Sequence, residues 1–252
     1  MLRTLKGAQR TGGLLGGDQS KKKRPHLRRG QMAENARWRE LQDLFEHVPL
    51  GDPAKDRLFA EMSRPGRVYH GLHHLETLWR RHALYSPDAG LSGTGPTRLL
   101  ACTIAYHDSV YDVRRDDNEA CSAQLWLRDS ADASVSEEDR AWVAQTITAT
   151  SDHLAYHANP GALGGKARLR EKARLWMLDL DLTPLGETPE TFDENSRQLR
   201  AEFAHLSSAE WRASMREFRR RFLEAPQIYR TPVLAAHFES AARTNLARPI
   251  PD

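Results

Sequence analysis

The chain has 252 residues, enough for one large domain or two small ones with a sizeable core. Hydrophobic residues make up 39% and charged residues 28%, with a mean hydropathy of −0.67. With no apolar run near the ~18 residues of a membrane span, this excludes helical membrane insertion and predicts a soluble protein with long polar helix faces. The net charge of +3 is uneven: residues 1–31 hold nine Lys/Arg against one acid, Asp18, a net +8 that leaves −5 for the rest. Cys102 and Cys121 form no CxxC pair, so both are expected as reduced thiols in a cytoplasmic protein.

Residues 1–32 mix Gly pairs with the cluster Lys21-Lys-Lys-Arg-Pro-His-Leu-Arg-Arg29 and show no sustained apolar period. Such a segment cannot offset its chain entropy by burial and is expected as a disordered basic extension, upstream of a start at Met32. A nucleic-acid arm, a nuclear signal and an organellar presequence are the sharper readings of the same charges. Without an apolar h-region it does not read as a secretory signal. Neither nucleic acid nor membrane is the expected partner.

Residues 33–250 carry helix punctuation. Trp38, Leu41, Leu44 and Phe45 repeat at three and four, as do Leu58, Phe59 and Met62 after the Asp52-Pro53 start. Pro96 opens a helix after a Gly-rich loop, and Ser136-Glu-Glu-Asp139 resembles a capping box ahead of Trp142, Val143 and Ile147. Thr188-Pro189 and Thr231-Pro232 each read as an N-cap followed by Pro at the first helical position. Sustained alternation is absent, so the fold class is all-α, a single multi-helix domain of roughly eight to ten helices.

Leu99 to Asp112 is an apolar run that ends in adjacent imidazole and carboxylate groups, His107 and Asp108. Both are costly to bury unless paired or bound to a metal. Upstream, His70 and His74 are spaced to share a helix face, while His73 points elsewhere. Downstream, Asp179 and Asp181 interrupt the apolar run Leu175–Leu182 on different faces, so either could reach a site. Two imidazoles and two carboxylates suit one divalent transition metal, Mn, Fe, Co, Ni or Zn, whose bound water becomes a nucleophile near neutral pH.

His74, His107-Asp108 and a distal Asp resemble the H…HD…D pattern of the HD superfamily of metal-dependent phosphohydrolases. The wider sequence is similar to an uncharacterised bacterial subgroup of predicted HD-superfamily phosphohydrolases. Tyr69-His70-Gly-Leu-His-His74, Ala105-Tyr-His-Asp-Ser-Val-Tyr-Asp112, Ile147-Thr-Ala-Thr-Ser-Asp-His153 and Asp179-Leu-Asp-Leu-Thr-Pro-Leu-Gly186 carry the likeness, with Leu199-Arg-Ala-Glu-Phe203 further on. It spans about residues 34–247 and implies an HD-type helical bundle.

The resemblance implies His74, His107, Asp108 and Asp181 as metal ligands. Asp181 is preferred to Asp179 because it precedes a Leu shortly before a Gly. It implies His70 either behind the ligands or on the substrate side, His153 as a phosphate contact or a ligand of a second metal, and a single metal overall. By its spacing, Asp112 shares a face with Asp108 if the helix continues; it would then orient the attacking water or protonate a leaving oxygen, the equal alternative being an Asp that simply ends the helix. Arg200 and the pair Arg114/Arg115 are candidates to hold a substrate phosphate, and Asn118 or Glu119 could enter the site.

The expected function is metal-dependent hydrolysis of a small phosphomonoester or phosphodiester, nucleotide-like in kind. The alternative is a catalytically silent, metal-stabilised nucleotide-binding module. A homo-oligomer is compatible with either.

Overall fold

A computed structural model describes residues 39–157, 161 and 163–250. The basic extension of residues 1–32, Met32 and Trp38 lie outside the described residues. Among the described residues the chain is an all-α bundle of ten α-helices without a strand. In order they are α1 (Arg39–His47), α2 (Asp52–Met62), α3 (Leu72–Tyr85), α4 (Thr94–Tyr106) and α5 (Asn118–Asp129). Then follow α6 (Glu137–Ala149), α7 (Gly165–Asp181), α8 (Pro189–Glu202), α9 (Ser208–Glu224) and α10 (Pro232–Ala247). Short 3-10 turns follow α6 (Thr150–Asp152) and α7 (Thr183–Gly186). Among the described residues no helix is long and apolar enough to cross a membrane.

Two helices form the centre. Leu100 to Tyr106 of α4 are buried without interruption, and a helix apolar all round must be surrounded. α4 accordingly packs on α1, α3, α5, α6 and α7. Ala173 to Asp181 of α7 are equally enclosed, against α3, α4 and α6. Tyr106, Trp126 and Trp176 are fully buried, and the rings of Tyr106 and Trp126 meet edge-on at 5.3 Å.

Local signals set most helix starts. Ser207 forms a complete capping box with Glu210, while Ser136 forms half of one, its Oγ accepting from Asp139 N at 3.2 Å. Thr188 caps α8 through Thr191 N with Pro189 at the first position, as expected. α4 begins at Thr94, two residues before Pro96, on an uncapped Gly93.

Thr231 occupies the N-cap position of α10, but its hydroxyl does not cap the helix. It donates instead to Asp179 Oδ2 at 2.8 Å, joined by Thr231 N at 2.6 Å and Arg230 N at 2.7 Å. Asp179 thus ties the start of α10 to the end of α7. Burial pushes its carboxyl up to about 6, with Arg230 and these hydrogen bonds opposing.

The turn after α7 lies directly on α10. A Cβ at Gly186 would stand 2.8 Å from both Cβ and the carbonyl oxygen of Phe238. Gly186→Ala should therefore destabilise the fold by about 1–3 kcal/mol, the usual cost of overpacking. The measurement is a melting midpoint several degrees below that of the parent chain.

Candidate metal centre

Four helix ends meet at one point. α3 starts after Gly71, which puts His74 in its first turn. α4 ends at Tyr106, with His107 as its C-cap and Asp108 immediately after. Asp181 is the last residue of α7. His153 follows the 3-10 turn that terminates α6.

Their side chains converge. His74 Nε2 lies 3.3 Å from His107 Nε2 and 3.0 Å from Asp181 Oδ1. His107 Nε2 is 3.2 Å from Asp108 Oδ2 and 3.4 Å from Asp181 Oδ1, and Asp108 Oδ2 stands 3.9 Å from His74 Nε2. Ligands ~2.0–2.2 Å from one ion are separated by roughly 3–3.6 Å when adjacent. The ligand atoms of His74, His107 and Asp108 lie within 4.8 Å of one another and could hold a metal ion. Asp181 Oδ1 meets both imidazoles at the same spacing.

The imidazoles are oriented for that role. His107 Nδ1 donates to the carbonyl of Ile104 at 2.9 Å, which leaves Nε2 to face the group. Such a bond to the far nitrogen is the usual means of fixing a metal-binding histidine. His153 Nε2 sits 2.8 Å from Asp181 Oδ2, so this ring serves the carboxylate. His153 is 2% exposed and is spent on Asp181, not presented as a phosphate contact.

Charge explains why these groups tolerate the interior. Burial opposes ionisation of Asp108 and Asp181, yet His107 beside them holds both well below the ordinary carboxylate range. Burial likewise opposes a charge on His107, but Asp108 and Asp181 carry its pKa well above the usual value. His74 and His153 are lowered by burial, with Asp181 working against the shift. Without metal, a proton on His107 balances part of the carboxylate charge; a divalent cation would take that place.

Two residues outside the expected set hold the surrounding backbone. Glu202, at the end of α8, accepts from Tyr69 N, His70 N and Tyr111 Oη at 2.8, 2.9 and 2.8 Å, and pairs with His70 Nδ1 at 2.6 Å. Arg67 donates to the carbonyls of His70, Asp108 and Ser109. Glu202 had a legible signal: Leu199, Glu202 and Phe203 are spaced at three and four, so an acid shares the buried face of α8. Arg67 had none, because the partners that tie it to the site, the carbonyls of Asp108 and Ser109, are 41 and 42 residues away.

Other expected residues lie elsewhere. The α4 helix does not continue past the dyad, so Asp112 is not one turn beyond Asp108 on a common face. Asp112 is exposed, accepts from Arg114 N at 2.9 Å, and has its own N–H and carbonyl held by Asn118. Arg200 turns away as well, donating to the carbonyls of Phe203 and Leu206. At about 100° per residue, it stands on the side of α8 opposite Glu202. Arg115 pairs with Asp117 at 2.8 Å in an exposed turn. His70 precedes α3 and lies outside the helix, yet its ring still meets that of His74 edge-on at 5.8 Å.

Two clefts border the group. One, of about 10 Å³, is lined by His70, Asp108, Tyr111, Asn118, Glu119, Thr150 and Asp181; that is the space of about one water. The other, of about 220 Å³, is lined by Tyr69, His73, His74, Thr77, Arg80, Glu187, Thr191 and Asn195, among others.

Two outcomes follow. Because the proton on His107 competes with a cation, metal affinity should rise with pH until His107 has deprotonated, then level off. Calorimetric titration in buffers of different ionisation enthalpy should register the released proton. His153→Ala, which leaves Asp181 Oδ2 without its partner, should weaken metal binding by about 10–100-fold, read by competition with a chromogenic chelator. No family model, curated protein or solved structure matches the chain.

Proposed function

We propose that this chain is a metal-dependent phosphoric ester hydrolase of the HD-superfamily kind. It would hold one divalent transition metal on His74, His107, Asp108 and Asp181 and act on a small, nucleotide-like phosphomonoester or phosphodiester. The observation that carries the reading is the convergence of two imidazoles 3.3 Å apart, each within 3.0–3.9 Å of both Asp108 and Asp181, beside a cleft of one water's size. Residues that stand in the order H…HD…D along the sequence supply that donor set.

Bound there, a divalent ion supplies an acidified water and a Lewis acid for a phosphoryl oxygen. The chain's own groups do the rest. Asp108 and Asp181 line the small cleft, so an ion held on them would border the space where water and substrate meet it. His70 lines the same cleft, and Glu202 fixes its Nδ1 at 2.6 Å, the arrangement that orients an imidazole for proton transfer. His70 is therefore the group to protonate the leaving oxygen. The wider cleft beyond His74 takes the remainder of the substrate, with Arg80 on its wall to meet negative charge.

A binding module without turnover is favoured by one specific observation. No arginine or lysine is among the residues lining the small cleft, and Arg67 beside it is committed to three carbonyls. Phosphoryl transfer usually draws on such a cation to offset developing charge.

Elemental analysis of the purified chain should find about one transition metal per protomer, lost in Asp108→Ala. Phosphate release from a nucleotide panel with added Mn²⁺, Ni²⁺ or Co²⁺ should fall at least 100-fold in His107→Ala, the scale on which one catalytic group acts. His70→Gln should lower kcat with metal content unchanged. Metal bound with every nucleotide recovered intact would select the binding module instead.

A further inference from the structure

Arg200 does not face the metal centre, but it does face a cavity. A groove of about 90 Å³ between α8 and α9 is lined by Ser196, Arg197 and Arg200 from one helix and Trp211, Met215 and Arg219 from the other. No carboxylate is among the lining residues. Arg197 is neutralised by Glu194 at 2.6 Å. The other two guanidinium groups have no acid partner among the described residues. Arg200 is held over the Trp211 ring at 5.6 Å and spends two donors on carbonyls. Arg219 is only 4% exposed, donates Nη1 to the carbonyl of Arg248 and stacks over Phe192 at 5.5 Å. Its buried Nε has no hydrogen-bond partner.

A buried guanidinium without an anion is costly. Burial and the neighbouring Arg248 both pull the Arg219 pKa down, and the acid acting on it, Asp193, is engaged by Arg248 at 2.7 Å. The cavity is far smaller than the ~300–1,000 Å³ of a pocket for a whole drug-sized ligand, and so takes one charged group.

We propose that the groove between α8 and α9 is an anion site in which Arg200 and Arg219 clamp a single phosphate group of a small ligand, its carbon skeleton lying against Trp211 and Met215. Two guanidinium forks from different helices match the oxygens of one phosphate. The cation–π contacts with Trp211 and Phe192 hold the forks in place without supplying a counter-charge. The site is separate from the metal centre and does not depend on the hydrolase reading. Both nonetheless share α8, whose opposite side carries Glu202.

The test is a titration of the full chain with inorganic phosphate at constant ionic strength, in the presence of chelator, read by melting midpoint. A ligand that binds only the folded state raises that midpoint saturably. The wild-type chain and Asp108→Asn should show the same saturable rise, and the apparent affinity should fall at least tenfold in Arg200→Gln and in Arg219→Gln. Arg200 is half-exposed, so its variant carries the test if Arg219→Gln fails to fold. Three results would overturn the proposal: no saturable rise, a rise unchanged in Arg200→Gln, or a rise lost in Asp108→Asn. The last would assign the phosphate to the metal centre.

Discussion

Asp181 terminates the second of the two central helices, and three imidazoles share its two carboxylate oxygens. Oδ1 meets His74 and His107, and Oδ2 meets His153. An ionised carboxylate survives in a bundle interior only when such partners replace the water it has lost. That requirement constrains the architecture around it. α3 must begin, α4 must end and the turn after α6 must deliver His153 within hydrogen-bond reach of one side chain. The packing of α7 against α3, α4 and α6 sets where that side chain stands.

The candidate metal-centre groups sit at helix ends, where the backbone leaves the helical path and a side chain can be aimed independently of the helix face. Such segments need separate anchoring. Glu202 fixes the Tyr69–His70 approach to α3 through two backbone N–H groups, and Arg67 fixes the Asp108–Ser109 exit from α4 through their carbonyls. These two residues of opposite charge hold facing sides of the same opening, with Tyr111 between them: its hydroxyl donates to Glu202 and its ring lies 5.5 Å beneath Arg67. They position the centre without supplying a metal ligand.

Asp179 and Asp181 are equivalent in pattern, each an acid in an apolar run, and their uses differ completely. A step of two residues turns the helix by about 200°. One carboxylate therefore faces three histidines, while the other faces the Arg230–Thr231 backbone that begins α10. The second stitches the C-terminal helices to the core. Arg200 and Glu202 on α8 repeat the lesson, with the acid turned inward to His70 and the base outward to Trp211.

The all-α class and the starts of α2, α6 and α8 were legible because they rest on local chemistry: three-and-four spacing, Ser and Thr caps, and Pro in a first turn. The candidate ligands His107 and Asp108 were legible because costly polar groups end an apolar run, and His74 because it stands in a histidine cluster four residues after His70. What the order of residues could not decide was any matter of distance across the fold. It could not show that α4 stops at Tyr106, which removes Asp112 from the dyad's face and commits it to a turn with Arg114. Nor could it show that Thr231 would give its hydroxyl to a carboxylate 52 residues away, or that Arg67 would bind carbonyls two helices further on. The sequence by itself determined which side chains are too expensive to bury alone. Only the tertiary structure decided which of them are buried together, because partnership depends on where several helix ends meet in space and on which way each final side chain turns.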